Sequence, residues 1–124
     1  MKVFIVEDSP AVLERLQDMV RDMEDADLVG NAATCEAAVA GIIASRPDVS
    51  ILDIKLADET GSGIDVLARV RKDLPLMKAV MLSNYVTPQH ARASADAGAE
   101  YFLDKSADFE RIPEILSILK NKHS

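Results

Sequence analysis

Val49-Ser50-Ile51-Leu52-Asp53 is the stretch that decides the fold: a short buried-type run that ends abruptly on a carboxylate. A run that is continuous rather than alternating in polarity belongs to a strand covered on both faces, and such strands occur in parallel sheets flanked by helices. Comparable runs lie at Lys2 to Val6, Asp27 to Ala32, Ala79 to Leu82 and Tyr101 to Leu103, and none of the five reads as half-exposed. Helical patterns fill the intervals from end to end, which predicts five βα units and a parallel sheet with helices on both sides.

The helix signals are local. Ser9 serves as N-cap, Pro10 fits the first turn, and Val12, Leu16, Met19, Val20 and Met23 recur at helical spacing. Thr34 caps a second helix that ends before Pro47, Gly61 to Gly63 open a third that runs to about Leu74, and Thr87-Pro88 start a fourth that stops at Gly98. A fifth carries Ile112, Ile115, Leu116 and Leu119, and Asn121 to Ser124 read as a frayed tail. The fourth helix differs from the rest, because it has Ala91, Ala93, Ala95 and Ala97 but no large apolar side chain. At roughly 25 cal/mol per Å² of buried apolar surface, an alanine face anchors a helix weakly, so this one is expected to be mobile.

At 124 residues, with 48% hydrophobic and 28% charged, the chain suits one globular domain over residues 1–124. Its 21 acidic and 14 basic residues give a formal charge of −7, which disfavours direct contact with nucleic acid. Cys35 is the sole cysteine, flanked by Thr34 and Glu36, so no internal disulfide forms and the thiol reads as a small buried hydrophobe. Val3-Phe4-Ile5-Val6 is too short for a signal peptide and no run is long enough to span a bilayer, so a cytoplasmic protein without membrane insertion is expected.

In an open parallel sheet, ligands bind beyond the carboxyl ends of the strands. Those positions hold Glu7-Asp8, Asp53, Ser83-Asn84 and Asp104-Lys105. With the flavodoxin-like strand order 2-1-3-4-5, the doubly wound five-stranded arrangement gathers three carboxylates, a hydroxyl and an ammonium at one shallow site. Two carboxylates about 5 Å apart repel by roughly 3 kcal/mol at an effective dielectric near 20, so the cluster calls for a dication. Oxygen donors favour Mg²⁺; zinc would want His or Cys, and neither His90 nor His123 stands at a strand end. A carboxylate beside such an ion is a nucleophile toward phosphorus, with Ser83 and Lys105 available to the oxygens of the transferred group. Taken singly, Asp8 reads equally well as part of a helix cap, Ser83 as a turn residue and Lys105 as a solvated charge. Asp53 resists such an account, since an unpaired carboxylate directly after a buried run is costly.

These residues resemble the receiver domains of two-component response regulators, in which a histidine kinase donates a phosphoryl group to a strand-end aspartate. The resemblance rests on Ile5-Val6-Glu7-Asp8-Ser9, Ile51-Leu52-Asp53-Ile54, Met81-Leu82-Ser83, and Gly98-Ala99 leading to Lys105, and covers the whole chain. It implies that Asp53 is the phosphoacceptor, that Asp8 binds Mg²⁺ directly and Glu7 mainly through water, and that the Lys55 carbonyl is a further ligand. It also implies that Ser83 and Lys105 hold the phosphoryl oxygens, and that Phe102, three residues before Lys105, is the switch aromatic, with Tyr101 on the opposite side of the strand. Phosphorylation would draw in Ser83, let Phe102 turn, and alter the surface of the fourth helix and fifth strand.

The chain departs from that pattern at several places. Ala57 stands where a proline is usual, Asp58 to Gly63 is about two residues longer than usual, Glu7 replaces an aspartate, and Asn84 replaces a small alanine. Lys55 and Tyr85 are bulky at positions that, by the resemblance to that family, govern access to the phosphoryl group, so they are expected to shield it from water. Other functions fit less well. A phosphatase of the haloacid dehalogenase type needs an acid where Lys55 stands, so no enzyme is expected, and a nucleotide-binding loop after the first strand would be repelled by Glu7-Asp8. The alternative is a phosphate-independent receiver-like interaction module. The expected partners are a histidine kinase or phosphotransfer protein and, if these residues are the whole product, a downstream protein that carries the output.

Overall fold

The parallel strands β1 (Lys2–Val6), β2 (Asp27–Ala32), β3 (Val49–Asp53), β4 (Lys78–Ser83) and β5 (Tyr101–Asp104) form one sheet in the order β2-β1-β3-β4-β5. This computed structural model describes residues 1–57 and 61–123. The expected length of the segment Asp58 to Gly63 falls partly on residues 58–60, which lie outside those described. The intervening helices are α1 (Pro10–Arg21), α2 (Cys35–Ser45), α3 (Gly63–Val70), α4 (Pro88–Asp96) and α5 (Ile112–His123), with a 3-10 turn at Phe109–Arg111 leading into α5.

Alternate residues of the strands feed two cores. Val3, Ile5, Val49, Ile51, Val80 and Leu82 pack with Leu16 and Val20 of α1 and with Ile112, Leu116 and Leu119 of α5. Phe4, Val6, Leu52 and Met81 pack with Ile42 of α2 and Leu67 of α3 on the other face. Every residue of β3 is buried, as its composition predicts. The expectation that no strand is half-exposed fails at the sheet edges. Only Ala32 of β2 and Leu103 of β5 are buried, because each edge strand has a neighbour on one side only.

The N-caps stand where the sequence places them: the Ser9, Thr34 and Thr87 side chains accept hydrogen bonds from the N–H groups of Val12, Ala37 and His90. Ser62 begins α3 with a reciprocal capping box to Asp65. That helix ends at Val70 rather than near Leu74. Pro75 disfavours helical geometry at the residue before it, and the chain instead turns through the Asp73 and Leu74 N–H bonds to the Val70 carbonyl. Where the sequence suggests a frayed tail over Asn121 to Ser124, α5 is helical to His123, Leu119 before it is buried and Lys120 pairs with the Asp25 carboxylate; Ser124 lies outside the described residues. In α4 the only fully buried residue is Ser94.

Candidate metal centre and acceptor aspartate

Register brings the polar strand ends level. Val6 pairs with Leu52, Asp53 with Leu82, and Ser83 with Asp104, so the residues that follow β1 and β5 meet the end of β3. The Glu7 N–H donates to the Ala32 carbonyl at 2.9 Å, prolonging the β1–β2 ladder by one residue and holding the Glu7 side chain inside the molecule. Glu7 is 1% exposed and Asp53 3%. The Lys105 N–H donates to the Ser83 carbonyl at 2.8 Å, which fixes where its side chain turns back over the sheet end.

That side chain joins the two buried acids. Lys105 Nζ stands 2.7 Å from Glu7 Oε1 and donates to Asp53 Oδ2 at 3.1 Å. The reading of Lys105 as a solvated charge is therefore set aside. Glu7 Oε2 accepts from the Ser9 N–H at 3.0 Å, tying the acid to the start of α1. One carboxylate oxygen from each of Glu7, Asp8 and Asp53 lies within 4.8 Å of the others. Burial, then the charge of Glu7, raise the Asp53 carboxyl to about 7 despite the opposing pull of Lys105. Burial works against the Lys105 ammonium, but its contacts with Glu7 and Asp53 outweigh it and hold the group above the usual lysine range.

Three carboxylates against one ammonium leave negative charge in excess, and the donors are oxygen alone; that is the chemistry of a hard dication such as Mg²⁺. His90 stands outside the carboxylate cluster, so the zinc-type donor set is not assembled among the described residues. A cleft of about 520 Å³ leads to the acids, lined by Asp8, Asp53, Lys55, Asn84 and Lys105, with Arg15 on its wall. The Arg15 guanidinium lies 4.3 Å from the centre of the Phe109 ring.

Ser83 is beside the site but turned to its own loop. Its hydroxyl donates to the Tyr85 carbonyl at 2.6 Å and accepts from the Tyr85 N–H at 3.1 Å. A second cavity of about 400 Å³ opens there, shared by Asp53, Lys55, Ser83, Asn84, Tyr85 and His90. Lys55 and Tyr85 are exposed and flank the approach to Asp53. Phe102 is half-buried against the core that holds α3, while Tyr101 packs on the opposite face, as strand alternation requires.

Gly63 has a role the sequence did not disclose. A Cβ at Gly63 would clash with the Asp53 carbonyl oxygen, so α3 starts against the backbone of Asp53. The Gly61-Ser62-Gly63 triplet signalled only a helix start. Cys35 is buried, as expected, but Arg69 Nη1 lies 3.8 Å from its sulfur, a neighbour supplied by another helix.

The molecule is thus a doubly wound parallel fold with an acidic, lysine-bridged pocket at the carboxyl ends of β1, β3 and β5. The chain belongs to the response regulator receiver domain family, whose model matches residues 3–117, and so to the proteins of two-component systems. Over 105 residues it is 31% identical to the DNA-binding transcriptional activator DevR/DosR of Mycobacterium tuberculosis, covering 85% of this chain and 48% of that protein. It is 26% identical to the response regulator protein VraR of Staphylococcus saprophyticus over 124 residues, covering 100% of this chain and 58% of that protein. The chain therefore spans about half the length of these curated relatives. Among solved structures, the response regulator domain of Thermotoga maritima CheB superposes with a TM-score of 0.83 at 25% identity, covering 99% of this chain and 96% of that one. The isolated REC domain of RcsB from Salmonella enterica serovar Typhimurium gives 0.87 at 22% identity, covering 98% and 88%, and shows likeness of fold.

Proposed function

We propose that residues 1–124 act as one phosphoacceptor receiver domain, in which Asp53 takes a phosphoryl group from a histidine kinase or phosphotransfer protein in the cytoplasm. The observation that carries this reading is the buried Asp53 carboxylate held between Glu7, Asp8 and the Lys105 ammonium. An Asp53 oxygen attacks phosphorus, the phosphorus–nitrogen bond of the donor phosphohistidine breaks, and its electron pair returns to the imidazole. Asp8 and Asp53, with the Lys55 carbonyl, would hold Mg²⁺, and Glu7 would act mainly through water. Bound there, the ion supplies the positive charge that keeps Asp53 ionised and offsets the phosphoryl oxygens. Lys105, already 3.1 Å from Asp53, pairs with one of those oxygens.

The output is a change of surface. Ser83 leaves the Tyr85 carbonyl for a phosphoryl oxygen, Phe102 turns inward, and α4 with β5 presents a new face to a downstream protein. Nothing in this role requires turnover of a substrate, so the domain is a signalling switch rather than an enzyme. Intact mass after incubation with Mg²⁺ and a small acyl phosphate tests the reading. One added phosphoryl group, lost in Asp53→Asn, is expected; an addition that survives in the variant overturns the assignment of Asp53.

A further inference from the structure

We propose that Arg71 pins the C-terminal end of α4, so that the helix answers phosphorylation by swinging its Thr87 end about a fixed end at Ala97 to Ala99. The inference rests on the phosphoacceptor reading and adds the mechanics of its output.

One guanidinium joins three segments of chain. Arg71, directly after α3, donates through Nη1 to the carbonyls of Leu74 and Pro75 at 3.4 and 3.3 Å, and also to that of Met77, which holds the turn into β4. Its Nη2 donates to the Gly98 carbonyl at 2.8 Å, just past α4, and stands 3.9 Å from Glu100 Oε1. Glu100 is fastened in turn, because its Oε1 accepts from the Ala79 N–H at 2.7 Å and its own N–H donates to the Ala79 carbonyl at 3.0 Å. Gly98 has φ +96°, and a Cβ there would lie 3.1 Å from Arg71 Nε, so the turn is shaped around the arginine. A planar fork with several donors suits this task, and a lysine would not reproduce it.

The other end of α4 has no such fastening among the described residues. Thr87 caps it through the His90 N–H at 3.1 Å, Tyr85 and Val86 before it are exposed, and the cavity of about 400 Å³ lies between Ser83 and His90. His90 Nδ1 is buried without a hydrogen-bond partner. Along the helix itself only Ser94 is buried, and its hydroxyl is unpartnered too. A helix anchored at one end, beside a cavity at the other and without large apolar side chains between, has a pivot rather than a slide as its easiest motion. The free end is the one next to Ser83, the residue whose hydroxyl must move.

Amide hydrogen exchange and chemical-shift mapping on the whole chain test this, with Arg71→Ala and Arg71→Lys beside wild type. Without any surrogate, the Ala97, Gly98 and Ala99 amides of wild type are expected to exchange about tenfold more slowly than those of Ala91 to Ala93, and Arg71→Ala to abolish that difference while β3 stays protected. Arg71→Lys should act in the same direction. With Mg²⁺ and beryllofluoride, wild-type shifts should concentrate from Asn84 to Ala91, and in Arg71→Ala they should spread through Glu100. Unchanged protection at Ala97 to Ala99 in the variants, or equal movement of both ends in wild type, overturns the proposal. Should both variants fail to fold, the wild-type gradient along α4 decides it alone. If fluorine spectra show no beryllofluoride held by Asp53, the phosphoacceptor reading fails and the swing with it, whereas the clamp is still judged by the surrogate-free comparison.

Discussion

Lys105 lies closer to Glu7 than to Asp53: its ammonium is 2.7 Å from Glu7 Oε1 and 3.1 Å from Asp53 Oδ2. Both acids are buried, so a single cation serves two carboxylates, and removing it strands them in a poorly hydrated place. Lys105→Ala is therefore expected to lower metal-free stability by on the order of 3 kcal/mol, the scale for breaking a buried ion pair. If the acids hold Mg²⁺ as proposed, saturating Mg²⁺ should restore part of the loss, because a ligand of the folded chain favours it. Urea denaturation with and without Mg²⁺ measures both effects, and an unaltered midpoint without the ion would contradict the shared counter-ion.

Asp53→Asn should stabilise the metal-free protein, and by an amount that depends on pH. Folding raises the Asp53 carboxyl from 3.8 to about 7, through burial first and the Glu7 charge second. Between those values the folded state binds more protons than the unfolded state, so wild-type stability falls as pH rises through the window. Asparagine does not titrate. The variant's advantage should be near zero at about pH 4 and level off above about pH 7, at on the order of 2 kcal/mol once residual hydration discounts the full linkage. Denaturation curves across that range check it, and a difference independent of pH would show that Asp53 is ionised in the folded chain throughout.

Gly63→Ala should disturb Asp53 from a distance. The added methyl would clash with the Asp53 carbonyl oxygen, which is backbone and cannot rotate away. Either α3 or the end of β3 must shift, at a cost of roughly 1 to 3 kcal/mol or more. The expected result is a lower melting temperature together with weaker Mg²⁺ binding, followed by calorimetry. A stable variant with native Mg²⁺ affinity would mean that α3 yields and Asp53 does not.

How far the sequence could be read depended on whether the cause was local. Ser9, Thr34 and Thr87 cap helices through hydrogen bonds to residues three positions on, and β3 is buried because its own side chains are apolar; such causes are visible in a string of letters. Glu7, Asp8, Asp53 and Lys105 were legible as a set because strand order alone brings the strand ends together. The exposure of β2 and β5 was missed because it comes from edge position rather than composition. Ser83 could be placed but not aimed, since its hydroxyl answers to the Tyr85 backbone. Arg71 and Gly63 were hidden for the same reason: their partners, Gly98 and Asp53, belong to other elements.

Under the proposed function, Phe102→Ala should separate phosphoryl uptake from its consequence. Phe102 is half-buried against the core on the α3 side, and does not line either cavity at Asp53. Beryllofluoride binding should therefore survive the change. The shift changes that the surrogate causes in β5 and the first turns of α4 should shrink, with a stability loss of about 2 kcal/mol, less than for a fully buried ring. Full retention of those shift changes would remove Phe102 from the switch.

Lys55 and Tyr85 should lengthen the life of the phosphoryl group. Lys55 borders both cavities that meet at Asp53, and Tyr85, with 78% of its surface exposed, stands over the one that also contains Ser83. Hydrolysis of an acyl phosphate at phosphorus needs a water opposite the bond to Asp53, and Lys55 and Tyr85 both line a cavity that opens at Asp53. Replacing both by alanine widens that approach without touching Glu7, Asp8 or Lys105. Loss of the phosphoryl group, followed by intact mass after the donor is removed, should quicken about three- to tenfold, equivalent to roughly 0.7 to 1.4 kcal/mol in the barrier. Each single change should give a smaller effect, and uptake from a small acyl phosphate should quicken as well, since the same opening admits the donor. An unchanged lifetime in the double variant would mean that water reaches phosphorus by a route these residues do not cover.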